Sequence, residues 1–223
     1  MTVVVLALVA GAGIVLHRAD VASTPAAVPS VVALPTLPTT IPYSAHTGPG
    51  ATIVLTESVD PLTLAVPASW RTPAADPVTL TKVVMAYEAQ APALGAPLQA
   101  VIDVEKESGI RLFAYQPAAP HAFVSVISFS SPTAKPFTPS LVAAAEALAA
   151  KKTKGVAVAG QALPAGEALT FKTSTVVQNQ PVVVEIYIWV EGGRTVEVQL
   201  VSETNVAAFP PLFDQIAASV RFK

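Results

Sequence analysis

Residues 181–202 read PVVVEIYIWVEGGRTVEVQLVS, and this stretch decides the fold. Two alternating runs flank Gly192-Gly193, a pairing that marks a hairpin because tight two-residue turns need positive φ. In the first run Val182, Val184, Ile186, Ile188 and Val190 fall on one face of a strand. Val183, Glu185, Tyr187, Trp189 and Glu191 fall on the other. Both faces carry large apolar groups, so both need cover. The expectation is an α+β fold: an α/β/α sandwich whose mainly antiparallel, twisted sheet is covered by helices on both faces.

The flanking segments read the same way. Downstream, Thr204 or Asn205 caps a final helix through Phe209, Leu212, Phe213, Ile216 and Ala217, and Val220-Arg221-Phe222 adds a short edge segment. Upstream, Val156–Leu163 and Leu169–Val176 are strands joined by a Pro164-Ala165-Gly166-Glu167 turn. Before them a helix opens at Pro139 or Ser140 and runs through Ala150. Lys151, Lys152 and Lys154 close it, where cations favour the negative end of the helix dipole. Strands are expected at 110–115 and 123–129, and a helix starting on Pro97 and stopping at Gly109. Residues 79–89 fit strand or helix. Ile53-Val54-Leu55 and Leu62–Val66 pattern as strands, the second broken by Pro67-Ala68-Ser69-Trp70. Trp70, bracketed by prolines, is expected to plug one end of the sandwich.

The strand ending "VPASW" (66–70), "ALPAGEAL" (162–169), the hairpin "VEIYIWVEGGRTVEVQLVS" and the closing "FDQIAASVRF" together resemble the PsbP-like and Mog-type α/β/α sandwich family. The closest likeness is to its exported, membrane-anchored or lipoprotein-like bacterial members, and it covers roughly residues 60–223. That resemblance implies a non-enzymatic adaptor or extrinsic subunit that binds other proteins. Its shared motifs are turns and core positions, so no binding residue carries over.

Three segments divide the chain. Residues 1–20 hold an almost purely apolar run from Thr2 to Leu16, closed by His17-Arg18. Fifteen helical residues would reach only about 22 Å, between a signal h-region and a thin membrane anchor. A few basic residues ahead of Met1 would complete either, and both remain open. Residues 21–56 contain no Asp, Glu, Lys or Arg and six prolines, the composition of a semi-rigid polyproline-like linker. Charge returns at Glu57, where a single domain, 57–223, is expected to begin. Apolar leader and stalk together point to an extracytoplasmic domain, held on the cell membrane by one span or secreted after cleavage.

Composition excludes several functions. The 223 residues are 52% hydrophobic and 13% charged, with no cysteine and a formal charge of −2. Thiolate zinc sites, iron–sulfur clusters, thiol nucleophiles and a lipobox are absent by count. Nucleic acid is not an expected partner, because neutralising phosphates takes a basic stripe. His121 is the one histidine within the domain and has no ligand-spaced His, Cys or carboxylate beside it. No G-x-S-x-G, G-x-G-x-x-G or P-loop occurs. Asp103, Glu105 and Glu107 read as a solvated helix face. Glu185, Glu191 and Glu197 around Tyr187 and Trp189 read as strand carboxylates that could rim a pocket.

The expected function is therefore that of a non-catalytic cell-envelope protein with no cofactor and no metal, binding an envelope protein or other envelope component. The alternative is a carrier of a small apolar ligand or lipid between sheet and helices. Tyr187, Trp189, Glu185 and Trp70 are the candidate ligand or partner surface.

Overall fold

A computed structural model describes residues 43–48, 52–57, 62–108, 110–152, 155–203 and 208–222. The apolar run at 2–16 and most of the proline-rich stretch lie outside the described residues. Among the described residues no helix is long and apolar enough to cross a membrane.

A six-stranded antiparallel sheet forms the centre. Its order is β4 (Ile110–Gln116), β5 (Ala122–Ser130), β9 (Arg194–Glu203), β8 (Gln180–Glu191), β7 (Gly166–Val177), β6 (Val156–Leu163). The β8–β9 hairpin turns on Gly192 and Gly193, at φ 56° and 75°, the left-handed conformation that glycine adopts freely. Gln178 and Asn179 make the equivalent turn between β7 and β8. A second sheet, also antiparallel, has the order β1 (Tyr43–Thr47), β2 (Thr52–Glu57), β3 (Leu62–Pro67), β10 (Arg221–Phe222).

Four helices complete the described structure: α1 (Pro77–Gln90), α2 (Pro92–Ser108), α3 (Pro139–Lys152) and α4 (Phe209–Ala218). The ambiguous segment at 79–89 is helical. Asp76 caps it, its side chain accepting from the Thr79 amide at 2.9 Å, with Pro77 preorganised at the first helical position. α2 begins at Pro92, earlier than expected, and carries Pro97 in its interior.

The faces of the large sheet are covered differently, which corrects the α/β/α expectation. Leu80, Val84, Leu94, Leu98 and Ile102 of α1 and α2, with Val142 and Ala145 of α3, pack on Phe113, Phe123, Leu169, Val184, Ile186 and Ile188. On the opposite face Leu55, Leu64 and Val66 of the small sheet, with Phe213 and Ile216 of α4, pack on Leu112, Val124, Tyr187, Trp189, Val198 and Leu200. The molecule is β-rich, with helices on one face of the main sheet and a second sheet plus one helix on the other. An apolar strand face demands burial, but a second sheet buries it as well as a helix does. β1 and all of β2 but Glu57 lie within 21–56, the stretch assigned to the linker, in which Ile53-Val54-Leu55 alone patterned as a strand. With Ile53 packed against the core and Leu55 fully buried, the charge-free end of that stretch alternates as a strand should.

Candidate functional site

The centre of the helix-covered face carries polar side chains where apolar ones would pack. β9 pairs without a break to β5 and β8, so Glu197, Gln199 and Val201 share a face. Val201 belongs to the core beneath the helices, which fixes that face as the helix-covered one. Glu197 stands between Ile127 and Ile188, and Gln199 between Ser125 and Ile186. Leu169 and Phe171 of β7 continue the rows beyond Ile188 and Ile186. α2 packs over β5, β9, β8 and β7 on this side.

One of these polar groups lacks a partner among the described residues. Gln199 is 5% exposed and its Nε2 has no hydrogen-bond acceptor among the described residues. Glu197 is partly exposed as a residue, yet burial pushes its carboxyl up to about 7. Desolvation alone accounts for that shift; no cation or hydrogen bond offsets it. Ser125 is buried directly across from Gln199. A buried donor without an acceptor costs about 1–3 kcal/mol, so a core selected for packing alone would hold leucine or isoleucine here. What the arrangement offers is a vacant donor and a carboxyl near neutrality, roughly 7 Å apart along the strand, in an apolar bed.

The sequence-nominated residues lie elsewhere. Tyr187, Trp189 and Glu185 are buried on the other face, under α4 and the small sheet. The Tyr187 hydroxyl bonds Glu185 Oε2 at 2.8 Å and Asp214 Oδ1 at 2.7 Å, and Lys172 Nζ reaches both carboxylates at 2.9 Å. Burial lowers the Lys172 affinity for protons, but its bonds to Glu185 and Asp214 outweigh that and hold the ammonium above the usual lysine range. Burial likewise raises Asp214, and Lys172 with Tyr187 bring it below the ordinary carboxylate range. Desolvation, then the two carboxylates, push the Tyr187 phenol far up, so it stays protonated. With each charge answered, the cluster is a clamp between sheet and α4. Trp189 stacks on Tyr187 with centroids 6.2 Å apart and meets Phe222 edge-on; its Nε1 has no partner among the described residues.

Trp70 is 3% exposed, its Nε1 donating to Gln116 Oε1 at 3.1 Å. Gln116 Nε2 in turn donates to Pro120 O at 2.7 Å and Ala118 O at 3.3 Å. None of the four nominated residues is on the surface. His121 is buried beside the Tyr87 ring, and Glu203 Oε2 accepts from its backbone N–H at 2.7 Å and lies 3.2 Å from Nδ1. Asp103 accepts from Gln99 Nε2 at 3.1 Å; the side chains of Glu105 and Glu107 lie outside the described part. Among the described residues no group of three or more His, Cys, Asp or Glu is placed to hold a metal ion.

Glu197 had been grouped with Tyr187, and the structure puts it on the opposite face. The signal was present: a two-residue turn pairs 191 with 194, hence 188 with 197, so odd residues of β9 share the face of even residues of β8. Gln199 follows from the same arithmetic.

No protein-family model matches the chain, and no curated protein does. A solved structure from Bacteroides thetaiotaomicron VPI-5482 aligns at 9% identity with a TM-score of 0.41, over 73% of this chain and 45% of its own. This chain thus spans under half the length of that protein. LpqN of Mycobacterium tuberculosis, described as involved in cell envelope biogenesis, aligns at 12% identity with a TM-score of 0.39, over 82% of this chain and 91% of its own. The resemblance to the PsbP-like and Mog-type family finds no match among these comparisons.

Proposed function

We propose that this protein is a non-catalytic binding module that holds a mostly apolar molecule between its helices and the six-stranded sheet, the molecule's polar group meeting Glu197 and Gln199. The observation that carries the reading is Gln199, a nearly inaccessible amide whose Nε2 has no acceptor among the described residues on a largely apolar face. A ligand atom supplies the missing acceptor, and buried polar atoms are satisfied as a rule. This reverses the order of the two expected functions. An adaptor that docks through an apolar patch needs contiguous exposed apolar surface. Among the described residues the large exposed apolar side chains are Val78 and Met85 on α1 and Val176 on β7, too few and too scattered to make one.

The apolar run at 2–16 and the proline-rich stretch after it support an extracytoplasmic position, on the membrane or released from it. An envelope lipid is then the natural cargo, and no reaction is assigned.

The test is uptake of an environment-sensitive apolar dye by the full chain in a non-ionic detergent below its micelle concentration, with displacement by long-chain amphiphiles. Glu197→Leu and Gln199→Leu should keep the fold and raise its stability, because each removes an unpaired buried polar group, while weakening amphiphile displacement at least several-fold. Unchanged displacement in both variants overturns the assignment.

A further inference from the structure

The space between helices and sheet, taken above to hold an amphiphile, also selects that molecule's head group. Carboxyl groups of the sheet fall on this face. Glu197 and Glu203 stand opposite Ile188 and Val182 of β8, and Glu167 of β7 places its Oε1 over Gly160 beside Val142 of α3. The described lysines and arginines lie elsewhere. Lys82 of α1 and Lys151 of α3 are exposed, Lys172 is held by Glu185 and Asp214 on the other face, and Arg111 sits in the bulge of β4, two strands from Glu197. His121, beside Tyr87 at the end of the face, is paired with Glu203.

This distribution disfavours an ion. A phosphate, sulfate or carboxylate head would be buried beside carboxyls with no cation to answer it, and an unpaired buried charge is among the costliest groups a fold can hold. An ammonium head would find Glu197 but leave the Gln199 Nε2 donor empty, because it offers no acceptor. The face calls for one acceptor and one donor. Gln199 Nε2 needs the acceptor, and the Glu197 oxygens accept from a hydroxyl whether or not the carboxyl is ionised. Glu197 keeps accessible surface in the middle of the sheet, between Ile127 and Ile188, which requires that side chains leave the position above it unfilled.

We infer that the head group is uncharged and carries an ester carbonyl and a free hydroxyl, the chemistry of a monoacylglycerol, with the carbonyl accepting from Gln199 and the hydroxyl donating to Glu197. Residues 197 and 199 are roughly 7 Å apart along β9, and one glyceryl unit carries both groups close enough together to serve them. The acyl chain lies along Ile186, Ile188, Leu169 and Phe171, the apolar rows beside the two polar residues.

The experiment is displacement of the environment-sensitive dye from the full chain by a series that shares one lauryl chain, with the detergent held constant. The probes are monolauroylglycerol, methyl laurate, laurate, lauryl phosphate and dodecyltrimethylammonium. Monolauroylglycerol should displace the dye at a concentration about ten-fold lower than any of the three ions, and several-fold lower than methyl laurate, which lacks the hydroxyl. Glu197→Leu should close the gap between the two esters, Glu197→Gln should reopen part of it by restoring an acceptor oxygen, and Gln199→Leu should weaken both esters together. An ion that displaces the dye as well as monolauroylglycerol does overturns the head-group assignment and leaves the binding reading standing. Equal potency of the two esters on the wild type overturns it in the same way. Dye that never enters, or that no member of the series displaces, removes both. The wild-type series decides by itself, so the test survives a variant that fails to fold.

Discussion

The Tyr187 hydroxyl lies 2.7 Å from Asp214 Oδ1, joining the middle of β8 to α4 across the interface of sheet and helix. α4 has no side-chain N-cap; this bond, the Lys172–Asp214 ion pair and a side-chain hydrogen bond between Gln161 of β6 and Asp214 attach it to the large sheet. Its apolar attachment is Phe209, Phe213, Ile216 and Ala217.

Asp214→Ala should therefore loosen α4 without detaching it. The hydroxyl keeps Glu185 as acceptor, so the loss is the hydrogen bonds of Tyr187 and Gln161 to the carboxylate plus a half-exposed ion pair, about 1–3 kcal/mol in urea unfolding. Asp214 has a depressed pKa, so its contribution is present above the ordinary carboxylate value and fades as pH falls through the lowered one. The wild-type advantage over the variant should thus be complete at pH 7 and shrink in acid. An advantage that grew in acid would contradict the clamp.

Trp70 closes one end of the layers, its ring in the core shared with Leu64, Val66 and Leu112 and its indole N–H on Gln116. Trp70→Ala should lower stability by about 3–5 kcal/mol, as truncation of a large buried aromatic does. Trp70→Phe keeps most of the packing and loses the bond to Gln116, so a drop of about 1–2 kcal/mol is expected. Equal melting temperatures for wild type and Trp70→Ala would mean the indole is not part of the core.

Tyr87 ties α1 to the large sheet. Its hydroxyl lies 3.0 Å from Gln116 O and 2.9 Å from Ala122 O, one on β4 and one on β5. Tyr87→Phe retains the ring contacts with Tyr115, His121 and Phe123. It should cost about 1–2 kcal/mol while leaving dye uptake unchanged, since the site at Glu197 and Gln199 is several strand residues away.

Much of this fold was legible because strand alternation and turn chemistry are local. Gly192-Gly193 gave the central hairpin, and the lysines after Ala150 marked the end of α3. What covers each face was not legible. The alternation of Tyr187 and Trp189 with Glu185 states that a face is buried but not by what, and Leu55, Leu64 and Val66 come from more than a hundred residues earlier in the chain. Charge-free composition at 43–52 looked like linker because prolines dominate the residues before it; Ile53-Val54-Leu55 already patterned as a strand, and the pairing of β1 with β2 brings 43–47 into the sheet. The candidate site was hidden for a different reason: Glu197 looks like a rim carboxylate until the hairpin register places it between Ile127 and Ile188.

Glu197 makes the sharpest prediction because its titration should oppose stability. Its folded value is raised from 4.5 to about 7 by burial. Below 4.5 the carboxyl is protonated in folded and unfolded chains alike and imposes nothing. Between that value and about 7 the unfolded chain releases the proton while the folded one keeps it, so stability falls as pH rises. Above that window the carboxylate is ionised in both states and the whole penalty stands, at most about 3 kcal/mol from the size of the shift. Glu197→Gln is neutral throughout and should be more stable than wild type at pH 8 by up to that amount, and nearly equal to it at pH 4. Urea unfolding of the pair across this range cancels the other titrating groups. A difference independent of pH would show that the carboxyl is already solvated in the folded chain, and the buried acid at the centre of the proposed site would be withdrawn.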